Sequence, residues 1–256
     1  MRYTFGDTIT ANERLKTIAD FFNPLSAEFI YDNLHIRIHS LLDLGCGPGY
    51  TTEMLAKTTN AHTVSGIDIS DSFLDFARNR YHDYSFIKHD VRHTPLPVKA
   101  DLMFSRFLLS HLKNIRHLID NWLQDLNPGG LLVIDELEAI YTQKEVFCEY
   151  LSLNEGLIRS QGADLFIGKV LSQELNGFRI IRNTSSLIPV FDHLAAKWFY
   201  PNTISIWESD EWMQSRLDVT ERKIISAELL RLSKNISEKS SVTWRMRRMI
   251  LTNNED

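Results

Sequence analysis

Short apolar runs alternate with amphipathic stretches from residue 40 onward. Five of these runs have the length and character of buried strands: 40–44, 63–67, 84–88, 101–105 and 131–135. The stretches between them predict helices, most clearly where one stripe is formed by Ile115, Leu118, Ile119, Trp122, Leu123 and Leu126. This alternation of strands and helices predicts an α/β protein with a parallel sheet and crossover helices.

The segment before the first strand, residues 1–38, is predicted to be helical. Its apolar residues follow helical spacing, as Leu15, Ile18, Ala19 and Phe22 show. Proline interrupts helices, so Pro24 predicts the end of one helix and the start of a second over about 26–34.

Beyond residue 141 the pattern predicts helices over 142–160 and 163–175, a sixth strand over 178–185 and a last strand over 242–251. Residues 189–241 lie between these two strands and have helical character, so we expect them to form a cap over the carboxyl edge of the sheet. The cap is rich in large aromatic residues: Phe191, Trp198, Phe199, Tyr200, Trp207 and Trp212. These rings fit a lid over a pocket, a core within the cap, or a dimer contact.

Composition narrows the functional classes. The chain has 256 residues, a formal charge of −5 and no apolar run long enough to cross a bilayer, and its N-terminus lacks the apolar segment of a signal peptide. The negative charge disfavours a nucleic-acid partner. Only two cysteines occur, Cys46 and Cys148, which favours a reducing cytoplasm.

The run from Leu41 to Tyr50 is an apolar strand, an acid and a glycine-rich turn before a helix, which is a nucleotide-binding arrangement. A dinucleotide fingerprint has the spacing Gly-x-Gly-x-x-Gly. Here the third glycine, Gly49, comes one residue early and follows Pro48. The sequence Asp-Leu-Gly-Cys-Gly-Pro-Gly over 43–49 instead resembles motif I of class I S-adenosylmethionine-dependent methyltransferases.

Asp68 closes the second strand at the interval expected for a carboxylate that binds ribose hydroxyls. The resemblance implies S-adenosylmethionine as cofactor and S-adenosylhomocysteine as product. It assigns Asp90 and Val91 to adenine, and the backbone carbonyls of Ser105 and Arg106 to the methionine amino group. The full set of expected cofactor residues is Asp43, Gly45, Cys46, Gly47, Gly49, Asp68, Ile69, Phe73, Asp90, Val91, Ser105 and Arg106.

The same resemblance implies a Rossmann-like, seven-stranded, mostly parallel sheet with helices on both faces. We expect a single domain, with N-terminal helices over 1–38, the core over 39–188, the cap over 189–241 and the final strand and tail over 242–256. The segment 17–24 and the helical insertion resemble a subgroup of methyltransferases that act on small molecules.

Methyl transfer depends mainly on proximity and orientation, so a catalytic base is optional. His111 lies after the fourth strand, and imidazole titrates near neutrality, so His111 is the first candidate base. Asp135 and Glu136 close the fifth strand. Alternation along a strand directs them to opposite sides, and Glu136 is the second catalytic candidate.

Other functions stay open at this stage. RNA or protein methylation and non-catalytic cofactor binding are alternatives, and a dehydrogenase is disfavoured by the glycine spacing. No acid ends the fourth strand, so we predict no catalytic metal. The basic cluster Arg245, Arg247 and Arg248 is expected on an edge strand with charged outer residues. We expect a small-molecule methyl acceptor, no nucleic acid or membrane partner, and a monomer or homodimer.

Overall fold

A computed structural model describes residues 9–253. The first eight residues of the predicted N-terminal helical segment and the last three of the tail therefore lie outside the described residues. The strands are β1 (Ser40–Leu44), β2 (Thr63–Asp68), β3 (Ser85–Lys88), β4 (Ala100–Arg106), β5 (Leu126–Thr142), β6 (Arg179–Val190) and β7 (Val242–Thr252). The helices are α1 (Ile9–Asn33), α2 (Tyr50–Thr59), α3 (Asp71–Arg80), α4 (Ile115–Gln124), α5 (Glu145–Ser160), α6 (Gly168–Glu174), α7 (Asp192–Ser209), α8 (Glu211–Gln214) and α9 (Val219–Lys234).

The seven strands form one sheet in the order β3-β2-β1-β4-β5-β7-β6. β1 to β5 run parallel to one another, whereas β7 is antiparallel to both β5 and β6. The predicted α/β class and the mostly parallel seven-stranded sheet are confirmed. The strand order reverses direction at β1 and β4, which is where open α/β sheets bind ligands.

The sequence prediction that Pro24 ends a helix is wrong, because α1 runs without interruption through Pro24. Tertiary contacts hold the helix on both sides of the proline. The Asn23 side chain donates to the Tyr50 carbonyl at 3.0 Å, and the Ser26 hydroxyl donates to the Asp135 carboxylate at 2.6 Å. These contacts fix both turns, so the loss of one backbone donor at Pro24 does not end the helix.

The predicted edge position of the last strand is also wrong. β7 lies between β5 and β6, and its arginines pair with buried carboxylates of β5. Arg248 bonds Asp135 at 3.2 Å, and Arg247 bonds Glu138 at 3.0 Å. The three arginines of the basic cluster are therefore paired with two carboxylates of β5, since Arg245 also lies 3.8 Å from Glu138.

The segment 192–234 is helical, and its aromatic rings belong to a core that the cap shares with α1 and the sheet. Trp198 and Trp207 are almost completely buried. Trp198 packs against Phe22 of α1 and Trp244 of β7, with ring centroids 5.8 and 5.5 Å away. Of the three interpretations of these rings, burial in a core is the one that these contacts support, except for Phe191, which is exposed.

Candidate active site

The glycine turn between β1 and α2 leaves its backbone open to a pocket. Gly45 and Gly47 have φ values of +66° and +51°, which residues with a side chain rarely adopt. A Cβ atom on Gly47 would meet only the Leu15 side chain, 4.0 Å away. A ligand can therefore approach the peptide backbone of the turn closely.

The pocket lies at the carboxyl ends of β1 to β4 and is covered on one side by α1. Its lining combines the glycine turn, three strand ends and the segment that follows β4. The lining residues are Leu15, Ile18, Ala19, 45–48, Tyr50, Thr51, Asp68, Ile69, Phe73, 89–92, 106–108, His111 and Leu112.

Asp68 connects the end of β2 to the glycine turn. Its Oδ2 atom accepts a hydrogen bond from the Gly47 N–H at 2.8 Å, and its Oδ1 atom accepts one from the Ser70 N–H at 2.9 Å. The cap of α3 is the Ser70 hydroxyl, which accepts from the Phe73 N–H. The Asp68 carboxylate is therefore not needed as a helix cap, and it faces the pocket together with Ile69 and Phe73.

Asp90 follows β3 and is fixed by a contact that the sequence analysis did not predict. The Arg92 Nε atom lies 2.9 and 3.0 Å from the two Asp90 oxygens. This hydrogen-bonded guanidinium lowers the pKa of Asp90 to about 2, so the carboxylate is charged at neutral pH. Val91 contributes to the wall, and its carbonyl accepts from the Trp122 indole at 2.8 Å.

Arg106 ends β4 and lines the pocket. The guanidinium donates to Asn23 Oδ1 at 2.6 Å, Ser26 Oγ at 2.9 Å and Thr51 Oγ1 at 2.8 Å. Burial lowers its pKa, because a low-dielectric environment disfavours the charged form. The resemblance assigned Arg106 through its backbone carbonyl, and the structure adds that Thr51, which accepts from its guanidinium, also lines the pocket.

The segment after β4 is held by a buried carboxylate. Phe107 has φ +54°, and the next two N–H groups, of Leu108 and Leu109, both donate to Glu136 Oε1 at 2.8 Å. Glu136 is fully buried and lies outside the pocket. Burial raises its pKa to about 8. Glu136 thus holds the backbone of the pocket wall from outside the pocket.

His111 is the one predicted catalytic residue that lines the pocket. Burial, together with the positive charge of Arg14, lowers the pKa of its imidazole to about 4. The ring is therefore neutral at physiological pH.

Three predicted cofactor residues also lie outside the pocket. Asp43 is buried beneath the turn, where it accepts from the Thr52 hydroxyl at 2.6 Å, and burial raises its pKa to about 7. Gly49 instead lets α2 pack closely, because a Cβ atom there would lie 3.0 Å from the Tyr81 and Phe86 rings. Ser105 is fully buried in the sheet.

The pocket brings together the other predicted site residues. They are Gly45, Cys46, Gly47, Asp68, Ile69, Phe73, Asp90, Val91, Arg106 and His111. Leu15 and Ile18 line the pocket as well and were not predicted as site residues, although their place in the apolar stripe of α1 is visible in the sequence. Thr51, Arg92 and Phe107 were also missed. The described residues contain neither a His/Cys/Asp/Glu group suited to a metal ion nor a helix able to cross a membrane.

S-adenosylmethionine is a nucleoside with a vicinal diol and an amino-acid end, and the groups of this pocket fit it. The Asp68 carboxylate can accept from both ribose hydroxyls, and the charged Asp90 can accept from an amine. The open face of Gly47 leaves space for close approach of the ligand. At the end of β4 the Arg106 guanidinium offers a positive charge.

Comparisons with known proteins agree with this fit. Residues 42–134 match the methyltransferase domain family. The chain is 37% identical over 119 residues to trans-aconitate 2-methyltransferase of Rhizobium rhizogenes, a match covering 46% of each protein. The chain thus matches about half the length of its curated relatives.

Two solved structures share the fold. Coclaurine N-methyltransferase bound to N-methylheliamine and S-adenosylhomocysteine has a TM-score of 0.57 at 15% identity, covering 90% of this chain and 72% of that one. The plantazolicin methyltransferase BpumL in complex with S-adenosylhomocysteine has a TM-score of 0.54 at 15% identity, covering 96% and 89%. Residues 42–134 are thus similar to a methyltransferase domain, and both solved structures share the fold of this chain.

Proposed function

We propose that the protein transfers the methyl group of S-adenosylmethionine to an oxygen, nitrogen or carbon atom of a small organic metabolite. The observation that carries the proposal is the meeting of Asp68, Asp90 and the glycine turn in one pocket. Each lies at the carboxyl end of a different strand, and together they match the diol and the adenine of the cofactor.

The acceptor is proposed to bind between α1 and the segment after β4. The side chains there are largely apolar: Leu15, Ile18, Phe107 and Leu112. Such walls favour an acceptor with an apolar part and exclude water from the reacting atoms. The curated relative from Rhizobium rhizogenes carries the name of an enzyme for a small organic molecule, which supports a metabolite rather than a macromolecule.

In this mechanism the cofactor supplies an electrophilic methyl group. Asp68 orients the ribose, Asp90 orients the adenine, and the Phe107–Leu112 wall holds the acceptor in line. Orientation of this kind contributes roughly 7–11 kcal/mol in favourable cases. The neutral His111 ring can accept a proton from a hydroxyl acceptor, but its pKa of about 4 makes it a weak base. We therefore assign most of the rate to orientation.

The direct test is a screen of metabolites for release of S-adenosylhomocysteine by the purified protein. Transfer to at least one small acceptor is expected. Binding of the cofactor without turnover on small molecules, or turnover only on RNA or protein, would contradict the proposal.

The negative net charge of the protein supports a partner other than nucleic acid.

His111→Gln tests the contribution of the base, with Leu112→Ala as a control for loss of packing in the same wall. We expect His111→Gln to reduce kcat by less than about tenfold and to leave cofactor affinity unchanged, because a weak base adds little. The ratio of wild-type to variant kcat should stay flat from pH 5.5 to 8. An inflection of that ratio near pH 6.5 would contradict this role.

The protein is further proposed to act in the cytoplasm as a monomer or homodimer. Both cysteines are free thiols, Cys46 buried in the turn and Cys148 exposed, which supports a reducing compartment. Light scattering measures the oligomeric state, and a stable higher oligomer would contradict this part of the proposal.

A further inference from the structure

Arg106 is a cation in an unusual setting. Its three hydrogen-bond acceptors, Asn23 Oδ1, Ser26 Oγ and Thr51 Oγ1, are all neutral oxygens. It forms no ion pair with any carboxylate in the range 9–253. Charged side chains that leave water are normally paired with an opposite charge. The setting of Arg106 therefore favours an anion supplied by a ligand.

The two carboxylates that interact most strongly with the Arg106 charge, those of Asp135 and Asp43, already have other partners. Asp135 is paired with the Arg248 Nε atom at 3.2 Å and also accepts from the Ser26 hydroxyl. Asp43 is bonded to Thr52, and because burial raises its pKa to about 7, it is only partly charged at neutral pH. The positive charge of Arg106 is thus incompletely balanced by the described carboxylates.

Arg106 and one of its acceptors face the pocket. Arg106 and Thr51 both line it, beside the glycine turn. Thr51 lies in the first turn of α2, where the helix dipole places partial positive charge. The Arg106 Nη2 atom donates to both Asn23 and Thr51, and Nη1 donates to Ser26, which leaves one Nη1 hydrogen and the Nε hydrogen for a ligand. A guanidinium next to a helix start favours a carboxylate, which it can bind through a charge-assisted hydrogen bond.

We propose that the Arg106 side chain binds the carboxylate of the amino-acid end of the cofactor. This inference rests on the proposed function, because it requires S-adenosylmethionine or S-adenosylhomocysteine in the pocket. It adds a charge-specific contact of the side chain with the carboxylate to the backbone contact expected for the amino group. A carboxylate on the acceptor has the same chemistry, so the test must distinguish the two sources.

The test compares S-adenosylhomocysteine with 5′-methylthioadenosine, which keeps the nucleoside and lacks the amino acid. Calorimetry would measure both affinities for the wild type and for Arg106→Met. We expect the variant to bind S-adenosylhomocysteine about 10- to 100-fold more weakly, the size of a lost charge-assisted hydrogen bond. Its affinity for 5′-methylthioadenosine should be unchanged.

Arg116→Met is the matched control. Arg116 also donates only to neutral oxygens, the carbonyls of Glu174 and Asn176, and it does not line the pocket. This control should leave both affinities unchanged. Equal weakening of both ligands by Arg106→Met would overturn the inference, since it would mean that Arg106 only anchors α1. Unchanged affinity for S-adenosylhomocysteine, with a raised KM for a carboxylate acceptor, would assign Arg106 to the acceptor and also overturn it.

A second measurement uses the unaltered protein, in case Arg106→Met does not fold. The wild type should bind S-adenosylhomocysteine at least about tenfold more tightly than its decarboxylated analogue. Equal affinities would overturn the inference while leaving the proposed function intact. Failure of the wild type to bind S-adenosylhomocysteine and 5′-methylthioadenosine would reject the proposed function itself.

Discussion

The Asp68 carboxylate illustrates how one side chain can arrange a binding site. Each of its oxygens accepts a backbone N–H, one from the glycine turn and one from the start of the next helix segment. These bonds fix the carboxylate at the end of β2 and hold the turn against it. An acceptor held in this way loses little freedom when it binds a diol.

Asp68→Ala should therefore weaken S-adenosylmethionine binding by about 10- to 100-fold, since charge-assisted hydrogen bonds are lost. Asp71→Ala is the control, because Asp71 is an acid three residues away that pairs with Lys88 and lies outside the pocket. Calorimetry measures both affinities. Equal affinities of the Asp68 variant and the wild type would remove Asp68 from the ribose site.

Glu136 should make stability depend on pH. Its folded pKa of about 8 lies above the ordinary glutamate value of about 4.5, so the folded state binds this proton more tightly than the unfolded state. The free energy of unfolding should then fall as pH rises from about 4.5 to 8, by at most about 1.4 kcal/mol per pH unit.

Glu136→Gln removes this titration and keeps an oxygen that accepts from Leu108 and Leu109. The variant should gain stability relative to the wild type across that pH range, as measured by urea unfolding at several pH values. A constant difference between the two proteins would show that the Glu136 pKa is not raised.

Among the elements, those built on local patterns were predictable from sequence. The boundaries of β1 and β2 and the glycine turn follow from an apolar run, an acid and three glycines. The segment after β4 was not predictable, because Phe107 with φ +54° has no local signature. Its geometry depends on Glu136, which lies 28 residues away from Leu108 in the chain. The side-chain contacts of Arg106 depend on α1 in the same non-local way.

Alanine substitution of Gly47 in the glycine turn can be compared with the same substitution of Gly129, which lies outside the pocket. Gly47 and Gly129 both have positive φ, +51° and +73°, and neither would place a Cβ atom in collision with a neighbour. Substitution by alanine should destabilise each position by roughly 1–2 kcal/mol, the cost of the left-handed conformation. Only Gly47→Ala should also weaken cofactor binding, because its Cβ atom would enter the pocket.

Thermal unfolding measures the loss of stability in each glycine variant, and calorimetry measures the loss of cofactor affinity. If Gly129→Ala weakened cofactor binding as much as Gly47→Ala, the loss would come from general destabilisation. If neither variant changed the affinity, the backbone of the turn would not contact the ligand.

For the whole molecule, the cap shares one hydrophobic cluster with α1 and with strands β5, β6 and β7 of the sheet. Phe22 of α1, Trp207 of α7 and Trp244 of β7 belong to the same buried cluster. The cap was predicted from helical spacing, but its attachment could not be predicted, because the partners are far apart in sequence. Such a shared core predicts that the cap and the sheet unfold together.

Trp207→Ala tests this prediction. It removes a fully buried ring that stacks on Tyr150 at 5.6 Å, and it should lower the free energy of unfolding by about 3–5 kcal/mol. Unfolding followed by far-UV circular dichroism and by tryptophan fluorescence should give coincident transitions in the wild type and in the variant. Separate transitions would mean that the cap is an independent unit.

Calorimetric titration of the wild-type protein with S-adenosylmethionine and, separately, with NADH distinguishes a site for the methyl donor from a dinucleotide site. We expect micromolar binding of S-adenosylmethionine and no binding of NADH. Binding of NADH alone would contradict the assignment of the glycine turn and of Asp68 and Asp90. Binding of neither ligand would contradict the claim that this pocket holds a nucleoside cofactor.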